Sequence, residues 1–136
     1  MTKTISKYVI LIVFFFISLS FMQDYSLSKS INRGKEVYSL YCQSCHMEDG
    51  KGQKGSIPPL AASDFFKNPT KDLIEIILKG QNGKIIVNSS TYEVPMLPLN
   101  YLTDEQISDV INFVRNSWGN RTKIVVRPQD VAKLRH

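Results

Sequence analysis

Apolar positions recur at helical spacing in three stretches of the chain. Ile31, Gly34, Val37, Tyr38 and Tyr41 share one face of a first helix, which Ser28 or Ser30 can cap. Thr70 can cap a second helix with Leu73, Ile76 and Ile77 inward, and Gly80 ends it. Thr103-x-x-Gln106 is a capping-box start. It opens a third helix through Ile107, Val110, Ile111, Val114 and Trp118, with Phe113 beside them and Gly119 as the stop. Pro128 suits the first turn of a short tail helix carrying Val131 and Leu134 on one face. Residues 47–69 hold three Gly and three Pro and read as loop. A loop of that length is unusual in a compact domain unless it has a task. Lys84–Asn88 and Thr91–Val94 alternate Ile85, Val87, Tyr92 and Val94 with polar residues and predict a small hairpin. The expected fold is all-α, with long loops and one minor β-hairpin.

The N-terminus departs from these periods. Lys3 and Lys7 precede a 15-residue apolar run, Tyr8–Met22, broken only by Ser18 and Ser20. A basic start, a short apolar stretch and small residues at Ser18-Leu19-Ser20 are the marks of a secretory signal peptide. The run is shorter than the ~20 residues that usually span a bilayer. Residues 1–22 are therefore expected to be a signal peptide or, if retained, a short membrane anchor. No Cys near the end of the run offers a lipoprotein anchor. The remainder is then exported, and the expected location is the periplasm.

Charge sharpens the division. Residues 23–120 carry ten Lys+Arg and eleven acids, a net −1, whereas residues 121–136 carry five Lys+Arg and one acid, a net +4. Nucleic-acid binders concentrate basic charge on the body, so nucleic acid is not expected as a partner. The body is residues 23–120, and 121–136 is a basic tail with a short helix. About 110 residues after the leader can bury only a modest core, which a bound cofactor would strengthen.

Cys42-Gln43-Ser44-Cys45-His46 carries the chemistry. Two thiols three residues apart can add to the two vinyl groups on one edge of a haem, and the next His can bind its iron. C-x-x-C-H therefore reads as c-type haem attachment. Three other readings fit less well. A thiol–disulfide exchange motif belongs beside a strand–helix unit, which the pattern lacks. Zinc wants four ligands, whereas the chain offers two Cys and, beyond His46, only His136. A plain Cys42–Cys45 disulfide leaves His46 without a role.

Given a haem, the sixth iron ligand follows by exhaustion. Met1 and Met22 belong to the leader, Met47 adjoins His46, and His136 is the last residue. Met96 remains, 50 residues beyond His46 in a loop stiffened by Pro95 and Pro98. A ligating His donates its other N–H to an acceptor. Pro58 or Pro59 can offer that carbonyl, and Leu60 can pack on the ring.

With these residues in view, the chain resembles a class I cytochrome c over roughly residues 30–135. The resemblance rests on Gly34 and Tyr38, Cys42-x-x-Cys45-His46, Gly50-Lys51-Gly52, Pro58-Pro59-Leu60, Met96 and the last helix with Phe113. It implies first and last helices crossing closely over Gly34, with Tyr38 against Phe113. The stretch Val114–Asn120, the hairpin and the tail are similar to cytochrome c subunits and domains of periplasmic dehydrogenases, quinoprotein alcohol dehydrogenases among them, and of copper nitrite reductases. The family often places Gly directly after the haem His, where this chain has Met47.

The expected function is that of a monohaem c-type electron carrier, with one covalent haem c whose iron, ligated by His46 and Met96, cycles between Fe(III) and Fe(II). The implied partners are a periplasmic dehydrogenase or nitrite reductase and a terminal oxidase, with a membrane involved only if the leader is retained. Alternatives are a haem enzyme or gas-binding haem protein with an open distal site, or a thiol–disulfide oxidoreductase.

Overall fold

The computed structural model describes residues 25–135. Residues 1–22, the expected signal peptide or anchor, lie outside them. Among the described residues no helix is long and apolar enough to cross a membrane. The elements run α1 (Leu27–Tyr41), α2 (Gln43–His46), a 3₁₀ turn (Asp64–Lys67), α3 (Thr70–Lys79), β1 (Ile85–Val87), β2 (Ser90–Tyr92), α4 (Asp104–Val114) and α5 (Pro128–Ala132). The two strands form an antiparallel pair, Ile85 opposite Tyr92 and Val87 opposite Ser90. The fold is mostly helical with one small hairpin, as the periodicity predicts.

The core forms where α1 crosses α4. Val37 and Tyr38 meet Ile107, Val110, Ile111, Phe113 and Val114, and Leu73, Ile74 and Leu78 of α3 close one side. Gly34 makes the crossing possible: a Cβ there would fall 2.5 Å from the carbonyl carbon of Asp109 and 2.8 Å from Phe113 Cβ. The ~1 kcal/mol that Gly costs a helix is offset by this close approach. Tyr38, Phe113 and Trp118 then stack in one cluster, with ring centroids 4.9–5.5 Å apart.

Beside the crossing lies a polar network. Asp109 is buried and takes two bonds from Arg33, at 2.6 and 2.9 Å, and one from the Ser30 hydroxyl at 2.5 Å. The Asn112 side chain accepts from the Val126 N–H (2.9 Å) and donates to the Val126 carbonyl (2.8 Å). One amide side chain thus pairs with the tail as a neighbouring strand would. The Tyr25 hydroxyl donates to the same carbonyl at 2.9 Å.

The tail is consequently continuous with the core. Val126 and Val131 are completely buried, Leu134 packs against the cluster, and Arg135 bonds the carbonyls of Asn100 and Leu102 at 2.7 and 2.8 Å. Full burial of a valine contributes ~1.5–3 kcal/mol. Deleting residues 125–136 is expected to lower the melting temperature by about 10 °C or more. An unchanged thermal melt would show that the tail adds nothing to the fold.

Several local details differ from the sequence expectation. Ser26, not Ser28 or Ser30, caps α1, and Ser30 is instead committed to Asp109. Pro69 holds the cap position of α3, and Thr70 is its first helical residue, with its hydroxyl taken by Arg115. Helix α4 stops at Val114, well before Gly119, because side chains take the carbonyls of its last turn. Asn116 bonds Asn112 O, Ser117 bonds Phe113 O and Asn120 bonds Val114 O, each at 2.8 Å. Trp118 follows outside the helix at φ 50°. The hairpin is shorter than expected: Asn88 and Ser89 form its two-residue turn at positive φ, and Val94 lies exposed beyond it.

Candidate haem site

Cys42 ends α1 and begins α2, so the chain turns directly from one helix into the other. Met47 N–H closes the single turn of α2 onto Gln43 O at 2.9 Å, which presents Cys45 and His46 together. The thiols of Cys42 and Cys45 are both free; Cys45 is exposed and Cys42 half-buried. Burial pushes the Cys42 thiol up to about 12, and the nearby Cys45 adds to the rise. A buried thiol shifted in this direction is unlike the attacking sulfur of an exchange pair, which needs a lowered pKa.

His46 lies with its Nδ1 3.1 Å from the Pro58 carbonyl. The tautomer with the proton on Nδ1 donates there, leaving Nε2 as a lone-pair donor for a metal. Burial lowers the His46 pKa, and the bond to Pro58 partly restores it, so the ring tends toward the neutral form a ligand requires. Of the two prolines, Pro58 supplies the carbonyl that meets the ring.

A strapped loop holds that carbonyl. Gly52 N–H bonds His46 O at 3.0 Å, Gln53 and Ile57 exchange two 2.9 Å bonds, and Leu60 and Ala61 both bond Gly50 O. Gly52 permits it, since a Cβ there would sit 2.7 Å from Pro58 O. Gly50 lies equally tight under the Trp118 ring. Leu60 is half-buried and packs against the core. Met47 adopts φ 64°, ψ 162°, a region glycine enters freely and other residues enter at a cost of about 1–3 kcal/mol. A Gly here, as the resemblance leads one to expect, would enter that region without the cost. Tyr38 holds Met47 in place, donating its hydroxyl to the Met47 carbonyl at 2.6 Å.

Met96 is fixed by its backbone. Its N–H and carbonyl pair with Gln81 just after α3, each at 2.9 Å, and Leu99 N–H bonds Ile77 O at 2.7 Å. Gly80 leaves room for the crossing, because a Cβ there would meet Met96 O at 2.5 Å. The side chain is half-buried, and a free thioether is a soft donor.

Sequence reasoning passed over two positioning residues. Gln81 docks the Met96 loop through its backbone. Asn120 bonds Leu60 O at 2.7 Å and accepts from Ser63 N–H at 3.1 Å, and Trp118 O accepts from Ala62 N–H. The Trp118-Gly119-Asn120 stretch thus clamps the loop that carries Pro58. An Asn directly after Gly119, beyond the last residues of α4, is its sequence signal.

Two thiols outside any disulfide and an imidazole with its inner nitrogen already engaged form a donor set that fits haem c. Residues 31–118 match the family described as Cytochrome c. The cytochrome c subunit of a quinone alcohol dehydrogenase from Gluconobacter oxydans (strain 621H) is 36% identical over 108 residues, covering 76% of this chain and 22% of that subunit. The gluconate 2-dehydrogenase cytochrome c subunit of Pantoea cypripedii is 34% identical, covering 85% of this chain and 28% of its own. Cytochrome c-552 of Thermus thermophilus is 34% identical over 110 residues, 75% of this chain and 83% of its own length. The chain therefore belongs to the cytochrome c family, and it carries one covalently bound haem c. It spans less than a third of the two dehydrogenase subunits.

Proposed function

We propose that this chain passes single electrons from an exported dehydrogenase toward a respiratory acceptor, with His46 and Met96 as the two axial ligands. When bound, the haem supplies the one-electron Fe(III)/Fe(II) couple. Cys42 and Cys45 tether its edge, His46 offers Nε2, and the Pro58 carbonyl keeps the imidazole in one tautomer and orientation. Met96, fixed through Gln81, offers sulfur in a loop that has little room to move. A held pair of ligands keeps reorganisation small as the charge changes, and a Met/His set raises the reduction potential relative to other axial sets. The filled sixth position leaves no open site for peroxide or gas chemistry.

The single observation that carries this reading is the 3.1 Å contact between His46 Nδ1 and Pro58 O, in a C-x-x-C-H run whose thiols are free. The dehydrogenase donor is supported by the relatives named as dehydrogenase cytochrome c subunits. Export is supported by the basic, apolar, small-residue pattern of residues 1–22.

One experiment tests these parts together. The full chain is expressed in a bacterium with haem-maturation machinery and then fractionated. The haem-stained band should survive a denaturing gel, the mature chain should appear in the periplasmic fraction with an intact mass lacking about the first 20 residues, and the oxidised protein should show the weak far-red band of a Met ligand. A full-length chain in the membrane fraction would replace cleavage by anchoring. A colourless band would remove the haem reading.

A further inference from the structure

Among the described residues, the largest charged cleft has no part in the haem reading. It has a volume of about 430 Å³ and lies between the 63–70 segment and the start of the tail. None of Cys42, Cys45, His46 or Met96 lines it. Three charged side chains do, Lys67, Arg115 and Arg121, and all three are cations.

Arg115 is the unusual member. It is only 2% exposed, yet among the described residues no carboxylate lies within ion-pairing distance of it. Its guanidinium has five N–H donors. One nitrogen reaches Thr70 Oγ1 at 2.9 Å and another the Phe66 carbonyl at 3.2 Å, while Nε has no acceptor. Burial lowers its pKa, and no neighbouring acid offsets that fall. A buried charge without a counter-charge is costly. The first turn of α3 opens on the same cleft with no side-chain cap, so its orphan N–H groups add positive potential there. Lys67 and Arg121 are exposed at the rim.

We infer that this cleft is a binding site for a small phosphate-type oxyanion, with Arg115 as the buried anchor and Lys67 and Arg121 as rim contacts. The anion supplies the counter-charge that Arg115 lacks and accepts from the α3 N-terminus. Free phosphate and the phosphate group of a small monoester share this chemistry. The volume lies within the range of small-molecule sites and accommodates either. This inference does not depend on the axial ligands or on the redox partner.

The test uses the haem-loaded protein, titrated with inorganic phosphate or glycerol phosphate at constant ionic strength and followed by amide NMR. Saturable shifts at Asn68, Thr70 and Arg121 are expected, and the Lys67→Ala/Arg121→Ala double variant should weaken binding about tenfold. Both rim residues are exposed, so that variant keeps the fold. Tighter binding of glycerol phosphate would assign the site to a phosphorylated molecule, and equal binding to the free ion. Shifts that fail to saturate, that chloride reproduces, or that survive unchanged in the double variant would overturn the inference.

Discussion

Gly34→Ala is expected to lower the free energy of unfolding by about 3 kcal/mol or more, the upper range for overpacking a core. The new methyl would meet the Asp109 backbone and Phe113 Cβ. Neither can rotate away, so the helices must part. Local propensity acts in the opposite direction, because Ala is favoured over Gly by ~1 kcal/mol inside a helix. The crossing geometry therefore has to outweigh a real local gain. Parting the helices would also stretch the Ser30–Asp109 bond and loosen the Tyr38–Phe113 stack. Urea denaturation of the parent and the variant provides the comparison. An unchanged or higher midpoint would mean that the crossing tolerates a methyl group and that Gly34 serves no packing purpose.

The second large effect is on redox chemistry and tests the proposed Met96 ligation. Met96→Ala should leave the haem attached, because Cys42, Cys45 and His46 are untouched and lie in a separate part of the chain. The Gln81 pairing uses only backbone atoms of residue 96, so the loop keeps its place and the change is confined to the lost sulfur. Thioether sulfur is soft and favours ferrous iron, whereas a replacing water or amine favours ferric. The reduction potential should therefore fall, by a sizeable part of the roughly 0.8 V that axial ligation spans across haem proteins. The reduced variant should bind carbon monoxide, which the parent should bind poorly. If spectrum and potential stay at the parent values, Met96 is not the ligand.

What the sequence made legible was local or periodic. The Cys42–His46 run is contiguous, and its chemistry can be read without a fold. The Thr103–Gln106 capping box is a three-residue relation, and its two bonds form at 2.9 and 3.1 Å. Helices α1 and α4 show their apolar faces directly. The remainder depended on partners distant in sequence. Trp118 continues the spacing of α4, so only the side chains of Asn116, Ser117 and Asn120 reveal that the helix ends at Val114. Asp109 and Asn112 look like surface positions on an amphipathic helix. They are buried because Ser30 and Val126, 79 and 14 residues away, bring their polar atoms to meet them. Arg115 is illegible for the same reason: its burial depends on Phe66 and Thr70.

The joining of α1 to α4 has a further consequence for how the chain can vary. These helices stand near the two ends of the described chain, and everything from Met47 to Thr103 hangs between them as one large closed loop. The entropy of closing such a loop grows only with the logarithm of its length, about 0.6 kcal/mol for each doubling. Lengthening the hairpin or the Pro58 loop by several residues thus changes the closure term by a few tenths of a kcal/mol, whereas one methyl at Gly34 costs several times more. Variation in this architecture is cheap in the connecting segments and expensive at a single helical contact, so new surfaces can be added around the haem without disturbing the clasp that closes the chain.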